Sequence, residues 1–231
     1  MNFKSFINCC VFALGIFFGA FVIYRGIHEV AVKDRYVSVK GLSEREVKAD
    51  RVTWPLTFSI VSNDVSSIWS DLDRKQASVL AFLKKNGIPE NEIYVAAPRL
   101  EDRQAESWNS NAAFRYQVSV TITVVTANVD KVLELRAKQG ELMREGINMS
   151  NNDWNINFEF TGLNNLKPSM VEEATRNARA VAQKFAADAQ CDLGSIRQAS
   201  QGQFSIEPLN DNTPYIKKVR VVTTVTYSLK D

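Results

Sequence analysis

Val52-Thr53-Trp54-Pro55-Leu56-Thr57-Phe58-Ser59-Ile60 alternates large apolar and polar residues along its whole length. Val52, Trp54, Leu56, Phe58 and Ile60 fall on one face. Period two over such a stretch marks a half-buried β-strand. Pro55 lies on the opposite face and lacks the N–H that a ladder needs, so this strand is expected at an edge or bulged. The same alternation recurs twice. Phe114, Tyr116, Val118, Val120, Ile122 and Val124 form a second long strand. Val219, Val221, Thr223, Val225, Tyr227 and Leu229 form the last one. Shorter strands are expected at Tyr36–Gly41 (stopping at the glycine), Ile93–Leu100, Trp154–Phe160 and around Ile196. The segments Glu101–Ala112 and Ser205–Tyr215 read as loops.

Between these strands the period changes to that of a helix. Asp64 is an N-cap for a run carrying Val65, Ile68, Trp69, Leu72, Val79 and Leu83, which Gly87 ends and Pro89 follows. A second helix runs from Val129 to about Glu145. A third has Pro168 in its first turn and a stripe of Val171, Ala174, Ala178, Val181, Phe185 and Ala189. Long strands with polar outer faces and helices between them give an α+β class: one antiparallel-rich sheet with about three helices on one face. Subdivision near residue 126 or 163 stays open, because no Gly/Ser-rich linker marks a boundary.

The amino terminus is different. Phe6–Tyr24 is apolar and uncharged, with Lys4 before it and Arg25 after it. Roughly 20 apolar residues span a bilayer as a helix. The run is too long for a cleaved signal and no Ala-x-Ala pattern follows it. Residues 1–30 are therefore expected to be an uncleaved signal anchor crossing the bacterial inner membrane once, with residues 31–231 exported to the periplasm. Lys4 favours a cytoplasmic amino terminus; Arg25, Lys33 and Arg35 oppose it.

Composition narrows the chemistry. The net charge is +2 with both signs interspersed, so no basic stripe points to nucleic acid. Cys191 is the one cysteine beyond the apolar run, so the exported part holds no internal disulfide. The sole histidine, His28, adjoins that run. This removes histidine-based triads and most transition-metal sites from the rest of the chain. Glu101, Asp102 and Glu106 read as a solvated loop, and Glu172 and Glu173 as favourable charge near a helix start. Asn148-Met149-Ser150 matches a glycosylation acceptor that matters only in a secretory host. Trp54, Trp69 and Trp154 fall on apolar faces and read as core. Trp108 stands among polar neighbours and either folds back or meets another chain.

Several pieces, in order, resemble the SIMPL-domain family of exported bacterial proteins. They are Val37-Ser38-Val39-Lys40-Gly41 with Ala49-Asp50 beyond it; Leu83-Lys84-Lys85-Asn86-Gly87-Ile88 and then Ile93; Phe114-Arg115-Tyr116-Gln117-Val118; and Glu173-Ala174, Ala178-Arg179-Ala180-Val181-Ala182 and Asp192-Leu193-Gly194-Ser195-Ile196. Here Lys40-Gly41-Leu42-Ser43 has no second glycine, and no proline precedes Asp50. The resemblance implies an α+β fold at the cell envelope, homo-oligomers of ring or channel form in some members, a link to oxidative-stress tolerance in some, and no catalytic residues or cofactor to carry over. Cys191, Met143, Met149 and Met170 are too scattered for an oxidant sink. The leading expectation is a non-enzymatic, self-associating scaffold or partner-binding module, with Trp108, Pro55, Val171, Ala174 and Ala178 as interface candidates. Two alternatives stand beside it: a binding module for a small hydrophobic or envelope ligand, and a carboxylate-dependent hydrolase.

Overall fold

The computed structural model describes residues 13–26, 35–105, 112–150 and 155–230. Residues 13–26 form helix α1. They are the later part of the apolar run; its start, together with His28, lies outside the described residues. Among the described residues no helix is long and apolar enough to cross a membrane.

The rest is α+β with antiparallel pairing, but it builds two sheets rather than one. By its internal contacts the chain divides into two units. Unit 1 takes residues 1–45, 165–205 and 219–231, and unit 2 takes residues 46–164 and 206–218. Neither unit is one continuous stretch, which is why no linker composition marks a boundary between them.

Unit 2 is organised by β2 (Arg51–Ser62) and β5 (Tyr116–Thr126). These pair antiparallel along their full length, with Trp54 opposite Val124, Leu56 opposite Ile122 and Phe58 opposite Val120. The two apolar faces therefore coincide, and all six of these side chains are buried. On the other face the hydroxyls of Thr57 and Thr121 lie 2.9 Å apart. β3 (Ile93–Val95) and β4 (Arg99–Asp102) both pair with β5. Their register slips by one residue between Val95 and Arg99, across Pro98, so the single strand expected over Ile93–Leu100 is two.

β2 is not an edge strand. β6 (Met149–Ser150) and β7 (Asn157–Glu159) pair with its second side. β7 covers Arg51–Thr53 and β6 covers Thr57–Phe58. Pro55 falls in the interval between them, where no second ladder asks for its missing N–H.

α2 (Val65–Lys85) brings Ile68, Leu72, Val79, Phe82 and Leu83 into this core. Its Asp64 carboxylate accepts the N–H groups of Ser66 and Ser67. It ends in a Schellman turn: Gly87 N–H donates to the Lys84 carbonyl and Ile88 N–H to the Leu83 carbonyl, with Gly87 at φ 87°. Trp69, expected in the core, is 39 % exposed, and Trp154 lies outside the described residues. The expected second helix is broken at Gln139 into α3 (Val129–Lys138) and α4 (Gly140–Arg144).

Three carboxylates of unit 2 have pKa values below their ordinary range. Asp64 is lowered first by the backbone N–H groups it caps. Asp102 is lowered by the Arg115 guanidinium and Glu134 by Lys138 and Lys131. A depressed carboxylate adds stability that is complete above its unfolded pKa and disappears as pH falls through its folded one. Unit 2 should therefore need less denaturant to unfold at pH 3 than at pH 7, and Asp64→Asn should narrow that difference. Equal midpoints at both pH values would refute it.

Unit 1 contains β1 (Tyr36–Lys48), β8 (Asp192–Gln201) and β10 (Ile216–Lys230), apart from the ends of β1 and β10 that belong to unit 2. The sheet order is β1-β10-β8, and β9 (Ser205–Pro208) also pairs with β10. Contacts at Arg35/Leu229, Ser38/Thr226 and Glu44/Arg220 run in opposite senses, so β1 and β10 are antiparallel. α5 (Leu163–Asp188) packs Ala178 and Ala182 against Val39, Val225 and Tyr227.

Gly41 does not stop β1 as expected; the strand runs through it. A Cβ there would stand 1.9 Å from the Ala174 carbonyl oxygen and 2.5 Å from the Ala178 nitrogen. The glycine lets the helix backbone rest on the strand. α5 also starts earlier than expected, which places Pro168 inside the helix rather than in its first turn. Its buried residues are Met170, Ala174, Ala178, Ala182 and Ala186, a strict four-residue spacing. Val181 and Phe185, read as part of the same stripe, are 38 % and 57 % exposed.

Candidate functional site

The five interface candidates separate. Trp108 lies outside the described residues. Pro55 sits within a covered strand. Ala174 and Ala178 are fully buried, because Gly41 of β1 takes up the surface they offer; this corrects their assignment to an intermolecular face. Val171 is half-buried. The helix instead offers Val181 and Phe185 on its outer side.

The carboxylates expected to be solvated do not converge. Arg99 pairs with Glu101 at 3.1 Å and Arg176 with Glu172 at 2.7 Å. The Arg115 guanidinium donates to Asp102 at 2.9 and 3.0 Å. Glu173 accepts from the buried Ser43 hydroxyl at 3.0 Å and from Arg45 at 3.4 Å. Among the described residues each of these carboxylates has its own cationic or hydroxyl partner, not the shared cleft of a hydrolytic pair. Glu106 lies outside the described residues. Among the described residues no cluster of His, Cys, Asp and Glu could hold a metal ion. Cys191 is half-buried, with its thiol 3.5 Å from the Ala186 carbonyl.

Two features remain. The first is the free edge of the unit 1 sheet. Among the described residues β8 ends the strand order and pairs with β10 alone, and its residues from Ser195 to Gln201 are exposed. Register irregularities are confined to the end near Leu193 and Ile196; from Gln198 to Gln201 the pairing with Thr226–Thr223 is regular. Arg197 is the sole charge between Gly194 and Gln201. Its guanidinium sits 5.7 Å from the ring of Tyr36 on β1. The cation thus leans across β10, away from the outer side of β8. Soluble monomers usually blunt such an edge with charge, proline or a bulge; the irregular end of β8 from Leu193 to Gln198 has that character, and the run from Gln198 to Gln201 does not.

The second feature is a cavity of about 370 Å³ in unit 2. Asn157, Glu159, Phe160, Thr161, Ile206 and Lys217 line it. Its wall is fixed by Asp50, whose carboxylate accepts the N–H groups of Thr161 at 2.8 and 3.0 Å and of Gly162 at 3.0 Å. Lys217 is 8 % exposed. Among the described residues it has no hydrogen bond and no ion pair within 4 Å. Burial lowers its pKa, and the charge of Glu159 opposes that shift. Glu159 itself accepts from the Asn157 amide at 2.7 Å.

Comparison with known proteins adds the family. A family model described as SIMPL, protein of unknown function (DUF541), matches residues 37–227. The chain belongs to the SIMPL family. The SIMPL match begins in β1 and ends in β10, so it takes in the free edge, the helix seated on Gly41 and the cavity alike. The SIMPL description assigns no activity, and no curated protein matches the chain. What this SIMPL domain does must be read from its own residues.

Lys217 was absent from the sequence reading, yet a signal for it exists. Two residues before Val219, it continues the inward alternation of the last strand, and a lysine on a buried stripe is uncommon enough to mark. The free edge of β8 carries no such signal, because edge status depends on which strands pair.

Proposed function

We propose that the chain is a non-enzymatic, membrane-anchored module of the cell envelope that assembles with its own copies through β8. The anchor would be the apolar run from Phe6 to Tyr24, with the domain on the periplasmic side. The observation that carries the assembly reading is the free, uncharged edge of β8 from Gln198 to Gln201. A second copy is the occupant because the edge offers backbone groups and no net charge that would select a different partner. Two such strands meet antiparallel about a twofold axis and satisfy each other's N–H and C=O groups. Such pairing closes at a dimer; the ring or channel form and the stress link implied by the family resemblance add nothing to its support.

Light scattering on residues 33–231 across a concentration series tests it. A defined oligomer is expected. Gln198→Lys with Ser200→Lys places like charges across the twofold and should yield monomers that keep the wild type's circular dichroism spectrum. A monomeric wild type, or an oligomer indifferent to both lysines, would overturn the reading.

A further inference from the structure

The cavity beside Lys217 holds two opposite charges that do not touch. Lys217 and Glu159 face the same space of about 370 Å³, yet no ion pair within 4 Å joins them. Lys217 buries its stem while its ammonium reaches the space of the cavity, where an anionic oxygen can meet it. Glu159 is committed on one oxygen to Asn157, which leaves its second oxygen able to accept from a cation. Phe160 and Ile206 supply an apolar wall, and Ile206 is 37 % exposed at the mouth. The volume sits near the lower end of small-molecule sites, which run from about 300 to 1,000 Å³.

We infer that this cavity binds a free α-amino acid with an apolar side chain. The ligand carboxylate would meet the Lys217 ammonium, its ammonium would meet Glu159, and its side chain would lie against Phe160 and Ile206. A purely anionic ligand fits less well, because Glu159 would repel it. A purely apolar ligand would leave both charges unanswered. A zwitterion answers both and keeps the site neutral. The inference is independent of assembly through β8, since every residue involved belongs to unit 2.

Titration calorimetry on the full-length chain tests it with three probes. L-leucine carries both charges, 4-methylpentanoate lacks the ammonium, and leucine methyl ester lacks the carboxylate. Saturable binding of leucine at one site per chain is expected, weakened at least about tenfold in either analogue, as expected when a charge-assisted hydrogen bond is lost. Lys217→Met and Glu159→Gln should each abolish it. Lys217→Met keeps the buried aliphatic stem and removes only the ammonium, so it should melt close to the wild type, and loss of binding in that variant is not loss of fold. Absence of leucine binding, equal binding of 4-methylpentanoate, or unchanged binding in Lys217→Met would overturn the inference.

Discussion

Gly41→Val should unfold unit 1 at temperatures where the wild type is intact. The Cβ would lie 1.9 Å from one backbone atom of α5 and 2.5 Å from another. Neither can swing aside as a side chain tip would, so the strand and the helix must separate by more than an ångström. That separation pulls Ala178 and Ala182 away from Val39, Val225 and Tyr227, which form the local core. Overpacking a tight site costs typically about 1–3 kcal/mol and more when backbone blocks relief; the upper end applies here. In a chain of this size that corresponds to a fall in melting temperature of roughly 10 °C. Hydrogen exchange should show protection lost across β1, β10 and α5 while β2 and β5 keep theirs. A melting temperature unchanged from the wild type would show that the helix does not rest on the strand.

Phe58→Ala should be the most damaging single truncation in unit 2. Phe58 is fully buried at the middle of β2. It lies opposite Val120 of β5 on one side and Met149 of β6 on the other, so its ring is flanked by two neighbouring strands. Removing a buried phenylalanine costs about 3–5 kcal/mol, the lost transfer energy plus the hole left behind. The regular β2–β5 ladder resists collapse into that hole, which favours the higher figure. Urea unfolding should show a lower midpoint with an unchanged slope. Phe185→Ala is the natural comparison, since that ring is 57 % exposed and its loss should leave the midpoint nearly unmoved. Similar losses in the two variants would contradict the burial assigned to both.

The contrast between these two rings also explains what the sequence could tell. In β2, β5 and β10 one face is buried along the whole strand, so alternation reports burial directly. Phe58 and Val225 could be placed from their neighbours alone. In α5 the sequence offers Val181 and Phe185 as the larger apolar residues, and hydrophobicity favours them for the core. Packing favours Ala182 and Ala186 instead, because the helix backbone lies on Gly41 and only small side chains fit beneath it. Close approach is a property of two distant segments, and no local pattern announces it. Pro55 shows the same limit: its missing N–H was legible, but not the interval between β6 and β7 that accommodates it. Lys217 was legible in principle, as an inward position on an alternating strand. The two opposite charges became a site only when the fold brought Glu159, more than fifty residues earlier in the chain, to the same cavity.

The order β1-β10-β8 places β10 between two strands that precede it in the chain. A ribosome completes both flanking strands before the one that joins them exists. A chain cut short anywhere before Ile216 therefore loses the middle of the sheet, not its margin, and leaves β1 and β8 with no shared neighbour. The final fifteen-residue strand acts as the closing stitch, and until it is made the segments that will flank it remain thread.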